Sequence, residues 1–233
     1  AGLPVAALAP RQLFLNLRPR DDATLDNMLP LPGNSAALAA LRAASEDLVF
    51  LHGPADGGKS HLLQGLCHAA EGPALYLPGA AVAAYPAEDV LAGIEELAVV
   101  CIDELDALAG RDDWEQALFH LYNRARERAC RLCVAAARPP GALPLALPDL
   151  RSRLAAGLVF ALPAPDDAAR RAILAFRAER RGLRLSPELA AYILARAPRG
   201  LGDLLAVLER LDEASLAARR PLTQPFVREV MGW

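Results

Sequence analysis

Residues 53–60 constrain the fold of this chain more than any other segment. Their sequence, GPADGGKS, matches the pattern G-x-x-x-x-G-K-[ST] at each fixed position. Glycines let backbone N–H groups curve around a phosphate, and a helix that starts at the lysine directs its positive end toward the same anion. The apolar run at 47–52 predicts a buried parallel strand before the loop, and residues 59–70 predict a helix after it. The sequence therefore predicts a phosphate-binding loop between a strand and a helix.

The side chains of this loop have specific expected roles. Lys59 is expected to reach the β- and γ-phosphates of a nucleotide, and the Ser60 hydroxyl is expected to ligate Mg²⁺. Lys59 is the single lysine among the 25 Lys and Arg residues, and lysine supplies a compact point charge where arginine supplies a planar fork. The other residues of the expected cofactor contact are Gly53, Asp56, Gly57, Gly58 and His61. ADP or ATP with Mg²⁺ is the expected ligand.

An acidic pair, Asp103 and Glu104, follows the apolar run AVVCI at 98–102, which predicts a third buried strand. An aspartate at the carboxyl end of a parallel strand next to the strand of the phosphate loop is placed to hold Mg²⁺ together with Ser60. The glutamate beside it is placed to orient or deprotonate an attacking water molecule. Taken alone, two acids after a strand also fit a solvated loop, and the phosphate loop upstream is what favours the catalytic and metal-binding roles.

Strand and helix patterns alternate up to residue 162, which predicts an α/β fold with a parallel five-stranded sheet flanked by helices. The predicted strands are 47–52, 74–77, 98–102, 131–137 and 158–162. The predicted helices between them are 34–44, 59–70, 88–97, 113–129 and 149–155. Later helices are predicted at 166–182, 187–197, 200–218 and 225–231. We expect a flexible tail at 1–20, a nucleotide-binding base at 21–164 and a small all-helical C-terminal lid at 165–233.

The composition disfavours several other classes of protein. No apolar run of about 18 residues lacks a charge or a proline, so a transmembrane helix is not expected. The short apolar start has no basic region before it, so we expect no signal peptide and a cytoplasmic location. The net charge is −3 and the arginines are dispersed among acids, so direct sequence-specific DNA binding is not expected.

Four cysteines raise the question of a metal or redox site. Cys130 and Cys133 have the spacing C-x-x-C, but this pair adjoins an apolar run, and zinc would need two further ligands. Cys67 and Cys101 are not at ligand spacing. We expect buried, reduced thiols.

Several blocks of this sequence resemble the AAA+ module of the bacterial replication initiator DnaA, and more closely its short regulatory paralogues of the Hda type. The resemblance extends from the N-terminal tail to the last predicted helix. The blocks are TLDNML at 24–29 with Gly33-Asn34, GKSHLL at 58–63, VCIDELD at 100–106, WEQALFHLYNR at 114–124, RPP at 138–140, LPDLRSRL at 147–154 and LTQPFV at 222–227.

The resemblance implies roles for two arginines that, by spacing alone, also fit ordinary surface charges. Arg153 would be the arginine finger, which acts on nucleotide held by a neighbouring subunit. Arg199 would be the sensor-2 arginine, which contacts bound phosphate from the lid. The tail segment QLFLNL resembles the clamp-binding peptide of these paralogues, and its expected contact residues are Gln12, Leu13, Leu15 and Leu17.

The resemblance further implies a function and partners. The chain would dock on the sliding clamp (the beta subunit of DNA polymerase III) and on ATP-bound DnaA, and it would stimulate hydrolysis of the DnaA-bound ATP. Initiation would thereby be negatively regulated, with ADP as the working ligand of this chain, and a homo-oligomer is compatible with this role. The chain ends at Trp233 without the helix-turn-helix domain of the initiator, so we expect a regulator. The strand expected to end in polar sensor-1 residues reads AAA at 135–137, so its own ATPase activity is expected to be weak.

Two other functions stay open at this point. An autonomous ATPase of the helicase-loader type is favoured by the intact Lys59, Ser60 and acidic pair, and disfavoured by the alanine run. A scaffold in which nucleotide only stabilises the fold is the third possibility. Turnover by the isolated protein separates the motor from the other two, and replacement of Arg153 separates the regulator from the scaffold.

Overall fold

A computed structural model of the chain describes residues 19–43 and 46–233. The strands are β1 Leu48–His52, β2 Ala74–Pro78, β3 Val99–Asp103, β4 Arg131–Ala136 and β5 Leu158–Ala161. They form one sheet in the order β2-β3-β4-β1-β5, and every pair of neighbours is parallel. The predicted α/β fold is confirmed, because short apolar runs separated by helical crossovers pair as buried parallel strands.

The order of the strands differs from the expectation that β3 lies next to β1. β4 lies between β1 and β3, with Cys133 opposite Val49 on one side and opposite Cys101 on the other. Asp103, at the end of β3, is therefore two strands away from the phosphate loop, and the prediction that β3 lies next to β1 is wrong. Strand order depends on how the crossovers pack, which the pattern of a single strand does not encode.

Helices surround the sheet and complete the C-terminal part. They are α1 Ser35–Ala43, α2 Lys59–Ala69, α3 Gly79–Val82, α4 Ala87–Leu91, α5 Asp112–Glu127, α6 Pro148–Ala156, α7 Asp167–Arg180, α8 Pro187–Arg196, α9 Leu201–Ala218 and α10 Gln224–Met231. The predicted helix at 88–97 is confirmed only as far as Leu91, because Gly93 adopts a φ of 76° and only a 3-10 turn follows at Ile94–Glu96. Arg199 precedes α9 rather than opening it.

The central strands β1, β3 and β4 bury both of their faces, and the helices build a separate core on each face. Val49 and Leu51 of β1 pack with α1 and α2 on one face. Leu48 and Phe50 pack on the other face with α4, α5 and α6, where Trp114 is fully buried. The helix that follows the phosphate loop, α2, and the helix that carries Arg153, α6, therefore lie on opposite faces of the sheet.

The helices after β5 form a lid with its own core. Its buried side chains include Leu174, Ile193, Leu204, Leu211 and Val227. The predicted all-helical C-terminal lid is confirmed. Within the described ranges, no helix is both long and apolar enough to cross a membrane.

All four cysteines are free thiols. Cys101, Cys130 and Cys133 are buried, but Cys67 is only partly buried, because it lies in the last turn of α2 at the edge of the core. Burial raises the pKa of Cys101 well above its usual value and that of Cys130 to about 11, so both thiols stay protonated.

Candidate functional site

The loop between β1 and α2 requires glycine at two positions. Gly53 has a φ of 144° and Gly58 a φ of 84°, both in the region that favours glycine. A Cβ atom on Gly53 would lie 2.1 Å from the carbonyl oxygen of Leu162, and one on Gly58 would lie 2.8 Å from Cε of Met28. The loop is therefore packed between the residue that follows β5 and the segment before α1, and its shape is fixed by these contacts.

Lys59 begins α2, and its side chain folds back over the loop. Its Nζ donates hydrogen bonds to the carbonyl oxygens of Gly53 and Pro54, each at 2.7 Å. The residue is only 8% exposed, and this burial lowers its pKa against the opposing charges of nearby carboxylates, led by Asp103. An ammonium group has three N–H donors, so one donor is left for a phosphate oxygen.

The Asp103 carboxylate is buried at the end of β3 and is held by two donors. The Tyr76 hydroxyl donates to Oδ2 at 2.8 Å, and the backbone N–H of Glu104 donates to Oδ1 at 2.8 Å. Burial, followed by the charge of Asp103, raises the pKa of Tyr76, so the phenol stays protonated and remains a donor. Ser60 lies beside the same hydroxyl. Carboxylate and hydroxyl oxygens are donors that suit Mg²⁺, so Ser60 and Asp103 fit the role of holding this ion beside a nucleotide.

Tyr76 is a site residue that the sequence pattern does not reveal. It lies in the apolar strand ALYLP, where a tyrosine reads as ordinary core. Only the pairing of β2 with β3, which sets Tyr76 opposite Cys101 and Pro78 opposite Asp103, brings its hydroxyl to the acidic pair.

Glu104 has an unusual backbone conformation for a residue with a side chain. Its φ of 53° and ψ of 43° lie in the left-handed region, and its side chain is exposed. Gly79 makes room for this turn, because a Cβ atom there would lie 2.6 Å from the Glu104 carbonyl oxygen. Backbone strain of this kind is concentrated at functional sites, where surrounding packing maintains it.

The end of β4 brings no polar side chain to the site. Ala135 and Ala136 are buried, and the backbone N–H of Ala137 donates to Oδ2 of Asp106 at 2.6 Å. No polar sensor side chain is thus present at the end of β4. The backbone N–H of Ala137 already donates its hydrogen bond to Asp106.

A cavity of about 630 Å³ lies between the phosphate loop, the segment before α1 and the lid. Asp56, Gly57, Gly58 and His61 line it from the loop and α2. Its other walls include Asn27, Met28, Leu29, Gly33, Asn34, Pro163, Ala169, Ile173, Arg177 and Leu205. Ligand pockets commonly measure about 300–1,000 Å³, so this cavity has the size and mixed lining that suit a nucleotide.

His61 connects the loop helix to the wall of this cavity. Its Nε2 donates to the carbonyl oxygen of Thr24 at 2.8 Å. Burial lowers the pKa of His61, which keeps the ring neutral near pH 7.

The two arginines expected to contact phosphate do not line this cavity. Arg199 is exposed in the turn before α9, which contributes Leu201 and Leu205 to the cavity instead. The carbonyl oxygen of Pro198, beside Arg199, accepts a hydrogen bond from Arg170 at 3.1 Å. The structure thus assembles residues 53–61 with Asp103 and Glu104, and it leaves Arg199 and Arg153 outside.

Arg153 is exposed on α6, where its guanidinium lies over the ring of Tyr122 at 5.7 Å from the centroid. The residues expected to bind the sliding clamp, Gln12, Leu13, Leu15 and Leu17, lie outside the described part of the chain.

Two family models match the chain. The Hda lid domain matches residues 167–231, and the bacterial DnaA ATPase domain matches residues 80–161. The chain is a DnaA-like AAA+ protein of the Hda type.

Solved structures support the AAA+ fold of this Hda-type protein. Domain III of the Thermotoga maritima replication initiation protein DnaA matches with 21% identity and a TM-score of 0.73, over 91% of this chain and 97% of that one. AMPPCP-bound DnaA from Aquifex aeolicus matches with 21% identity and a TM-score of 0.69, over 82% and 65%. The Thermotoga maritima RuvB Holliday junction branch migration motor matches with 21% identity and a TM-score of 0.68, over 93% and 72%.

Proposed function

We propose that this Hda-type protein is a nucleotide-dependent negative regulator of replication initiation, which stimulates the hydrolysis of ATP bound to DnaA. The match of its lid to the Hda lid domain is the observation that carries the proposal. The nucleotide cavity and the acidic pair support a bound nucleotide, and the position of Arg153 supports an action on a second molecule.

The position of Arg153 supports an action in trans. It projects from α6, on the opposite face of the sheet from α2, and it does not line the nucleotide cavity of its own chain. An arginine finger stabilises the charge that develops on a transferred phosphoryl group, and such fingers contribute about 10³–10⁵ in rate. DnaA with bound ATP is the proposed substrate, and DnaA with bound ADP, unable to initiate, is the proposed product.

The nucleotide of this chain then has a conformational role. Lys59 and the glycine loop would hold its phosphates, and Ser60 and Asp103 would hold Mg²⁺. Arg199, which lies outside the cavity in this structure, would contact phosphate from the lid only after the lid moves. The alanine run at 135–137, at the end of β4, leaves no polar side chain to position a water molecule there, so hydrolysis within this chain is slow. ADP is the ligand that supports its activity.

The sliding clamp is the second proposed partner, and this part of the proposal is carried by the sequence. A glutamine amide followed by spaced leucines, as in QLFLNL at 12–17, suits a small polar slot beside an apolar pocket. Binding to the clamp would deliver Arg153 to DnaA near newly replicated DNA. We propose a cytoplasmic location, and a homo-oligomer is compatible with this function.

The deciding experiment measures hydrolysis of DnaA-bound ATP in the presence of clamp-loaded DNA and ADP, with the wild-type protein or with Arg153→Ala. We expect acceleration by the wild type and binding without acceleration by the variant. Arg171→Ala, which removes an exposed arginine of the lid, is the matched control and should behave as wild type. If neither protein accelerates DnaA, the proposed function is wrong.

An autonomous ATPase is the second candidate, since the acidic pair is intact and the fold also matches the RuvB motor. Steady turnover of ATP by the isolated protein, abolished by Glu104→Gln, would favour the motor. A protein that binds DnaA without turnover in either partner would be a scaffold.

A further inference from the structure

Two arginines share the ring of one tyrosine on the face formed by α5 and α6. The guanidinium carbon of Arg153 lies 5.7 Å from the centroid of the Tyr122 ring, and that of Arg126 lies 6.0 Å from the same centroid. Tyr122, which lies on α5, is 8% exposed and packs into the core on this face of the sheet, whereas both arginines are exposed. The buried Tyr122 ring thus lies beneath two exposed guanidinium groups.

Neither arginine is neutralised by the protein around it. In residues 19–43 and 46–233, no salt bridge or side-chain hydrogen bond involves Arg126 or Arg153. The neighbouring arginines of the same stretch are paired, Arg124 with Glu95 at 2.9 Å and Arg128 with Glu96 at 3.4 Å. Residues two apart on a helix point to opposite sides, so Arg126 is directed away from these acids and toward α6.

We propose that Tyr122 is a positioning residue for Arg153 and that Arg126 is a second cation of the same site. The two guanidiniums together bind the phosphate chain of a nucleoside triphosphate that another molecule presents. The inference rests on the proposed function and specifies its contact site.

The chemistry of the three side chains supports this arrangement. A guanidinium is planar and weakly hydrated, so it stacks on an aromatic face while its N–H groups stay directed outward. A guanidinium held 5.7–6.0 Å from a ring centroid loses part of its rotamer freedom, so less entropy is lost when it meets phosphate. A triphosphate spreads negative charge over several oxygens, and two cations separated across one ring can contact different phosphoryl groups.

The test compares variants in single-turnover hydrolysis of DnaA-bound ATP, with clamp-loaded DNA and ADP, over a range of concentrations of this protein. For each variant, the maximal rate and the concentration that gives half of it are measured separately. Arg126→Gln and Tyr122→Leu should each lower the maximal rate by about threefold to tenfold, in line with the strength of a cation–π contact, and leave the half-saturating concentration nearly unchanged. Tyr122→Phe, which keeps the ring face, should restore the wild-type rate.

Arg128→Gln is the matched control, because Arg128 lies on the same helix but pairs with Glu96 instead of Tyr122. It should behave as wild type. In a background that combines Arg153→Ala with Arg126→Gln, Tyr122→Leu should cause no further loss of rate, since its effect passes through the two arginines that share its ring. Thermal unfolding and ADP binding are measured for every variant, and the exposed Arg126 tests the site even if Tyr122→Leu fails to fold.

The outcomes separate this inference from the function on which it rests. If wild type does not accelerate hydrolysis, the proposed function is wrong and the site falls with it. If wild type accelerates but Arg126→Gln and a folded Tyr122→Leu do so equally well, only the two-arginine site is wrong. A Tyr122→Leu protein that melts earlier and needs a higher concentration, but reaches the full maximal rate, would show that Tyr122 is structural and overturn its positioning role.

Discussion

Arg177 of the lid is ion-paired with Asp22 of the base, 155 residues earlier in the chain. The same guanidinium donates to the carbonyl oxygen of Asn27 at 3.2 Å, and Arg180 donates to the side chain of Asn27 at 3.1 Å. Burial alone raises the pKa of Asp22, but the charges of three arginines, Arg20 first, outweigh it and hold that pKa below its usual value. Since Asn27 and Arg177 both line the nucleotide cavity, this contact couples the position of the lid to the shape of the site.

Replacement of Asp22 by asparagine removes the charge that faces Arg177 but keeps the volume. The Arg177 side chain is 5% exposed and that of Asp22 is 30% exposed, so the pair is only partly buried. We expect the free energy of unfolding to fall by about 1–2 kcal/mol, between the values for exposed and for buried pairs. The control is Asp26→Asn, whose pair with Arg42 is exposed and whose loss should cost less than about 1 kcal/mol. Urea unfolding of both variants measures the difference, and equal losses would contradict a special role for the Arg177 contact.

Replacement of Lys59 by methionine removes the point charge held over the phosphate loop. We expect the affinity for ADP to fall by about 100-fold or more, which corresponds to about 2.7 kcal/mol, while the fold is kept. Lys59→Arg should also bind weakly, because a planar fork does not fit the space between the Gly53 and Pro54 carbonyl oxygens. Titration calorimetry measures the affinity, and His68→Gln, at the exposed end of α2, is the control. Unchanged affinity in Lys59→Met would place the phosphate contact elsewhere.

Acid should lower the free energy of unfolding through His61, which lines the nucleotide cavity. Burial lowers the pKa of His61 below 6.5, so in the window below pH 6.5 the unfolded chain binds more protons than the folded one. Stability therefore falls as the pH drops from about 6.5 toward the folded pKa of His61, and it is fully present above about 6.5. The pKa of His52 is lowered too, by burial and by Lys59, and it acts in the same direction.

Chemical denaturation at pH 7.5 and 5.5 measures this dependence. His61→Gln keeps a side-chain N–H that can reach Thr24, and it should show a smaller loss between the two pH values than wild type. An identical loss would assign the dependence to His52 or to carboxylates instead.

Replacement of Gly53 by alanine should distort the phosphate loop. The new Cβ would meet the Leu162 carbonyl oxygen at 2.1 Å and the φ of 144° is unfavourable for alanine, so we expect a cost above about 1 kcal/mol and loss of ADP binding. Gly141→Ala has no atom within 4 Å of its Cβ and no positive φ, and it should leave melting temperature and ADP affinity unchanged. Tight ADP binding by Gly53→Ala would show that the loop tolerates another shape.

The sequence by itself determined the phosphate loop, the strands and most of the helices. Each of these depends on residues close together in the chain. Gly53, Gly58, Lys59 and Ser60 are adjacent to one strand and one helix, so their spacing encodes both the shape and the chemistry of the loop. The break at Gly93 escaped prediction because an isolated glycine is tolerated in a helical pattern and becomes a turn only when packing requires it.

Tertiary structure alone decided the contacts between distant segments. It inserted β4 between β1 and β3, brought the Tyr76 hydroxyl to Asp103, and joined Arg177 to Asp22. It also set Arg153 over Tyr122, outside the nucleotide cavity of its own chain. Local spacing fixes the chemistry that a segment offers, whereas the choice of partner depends on strand order and on the packing of helices from distant parts of the chain.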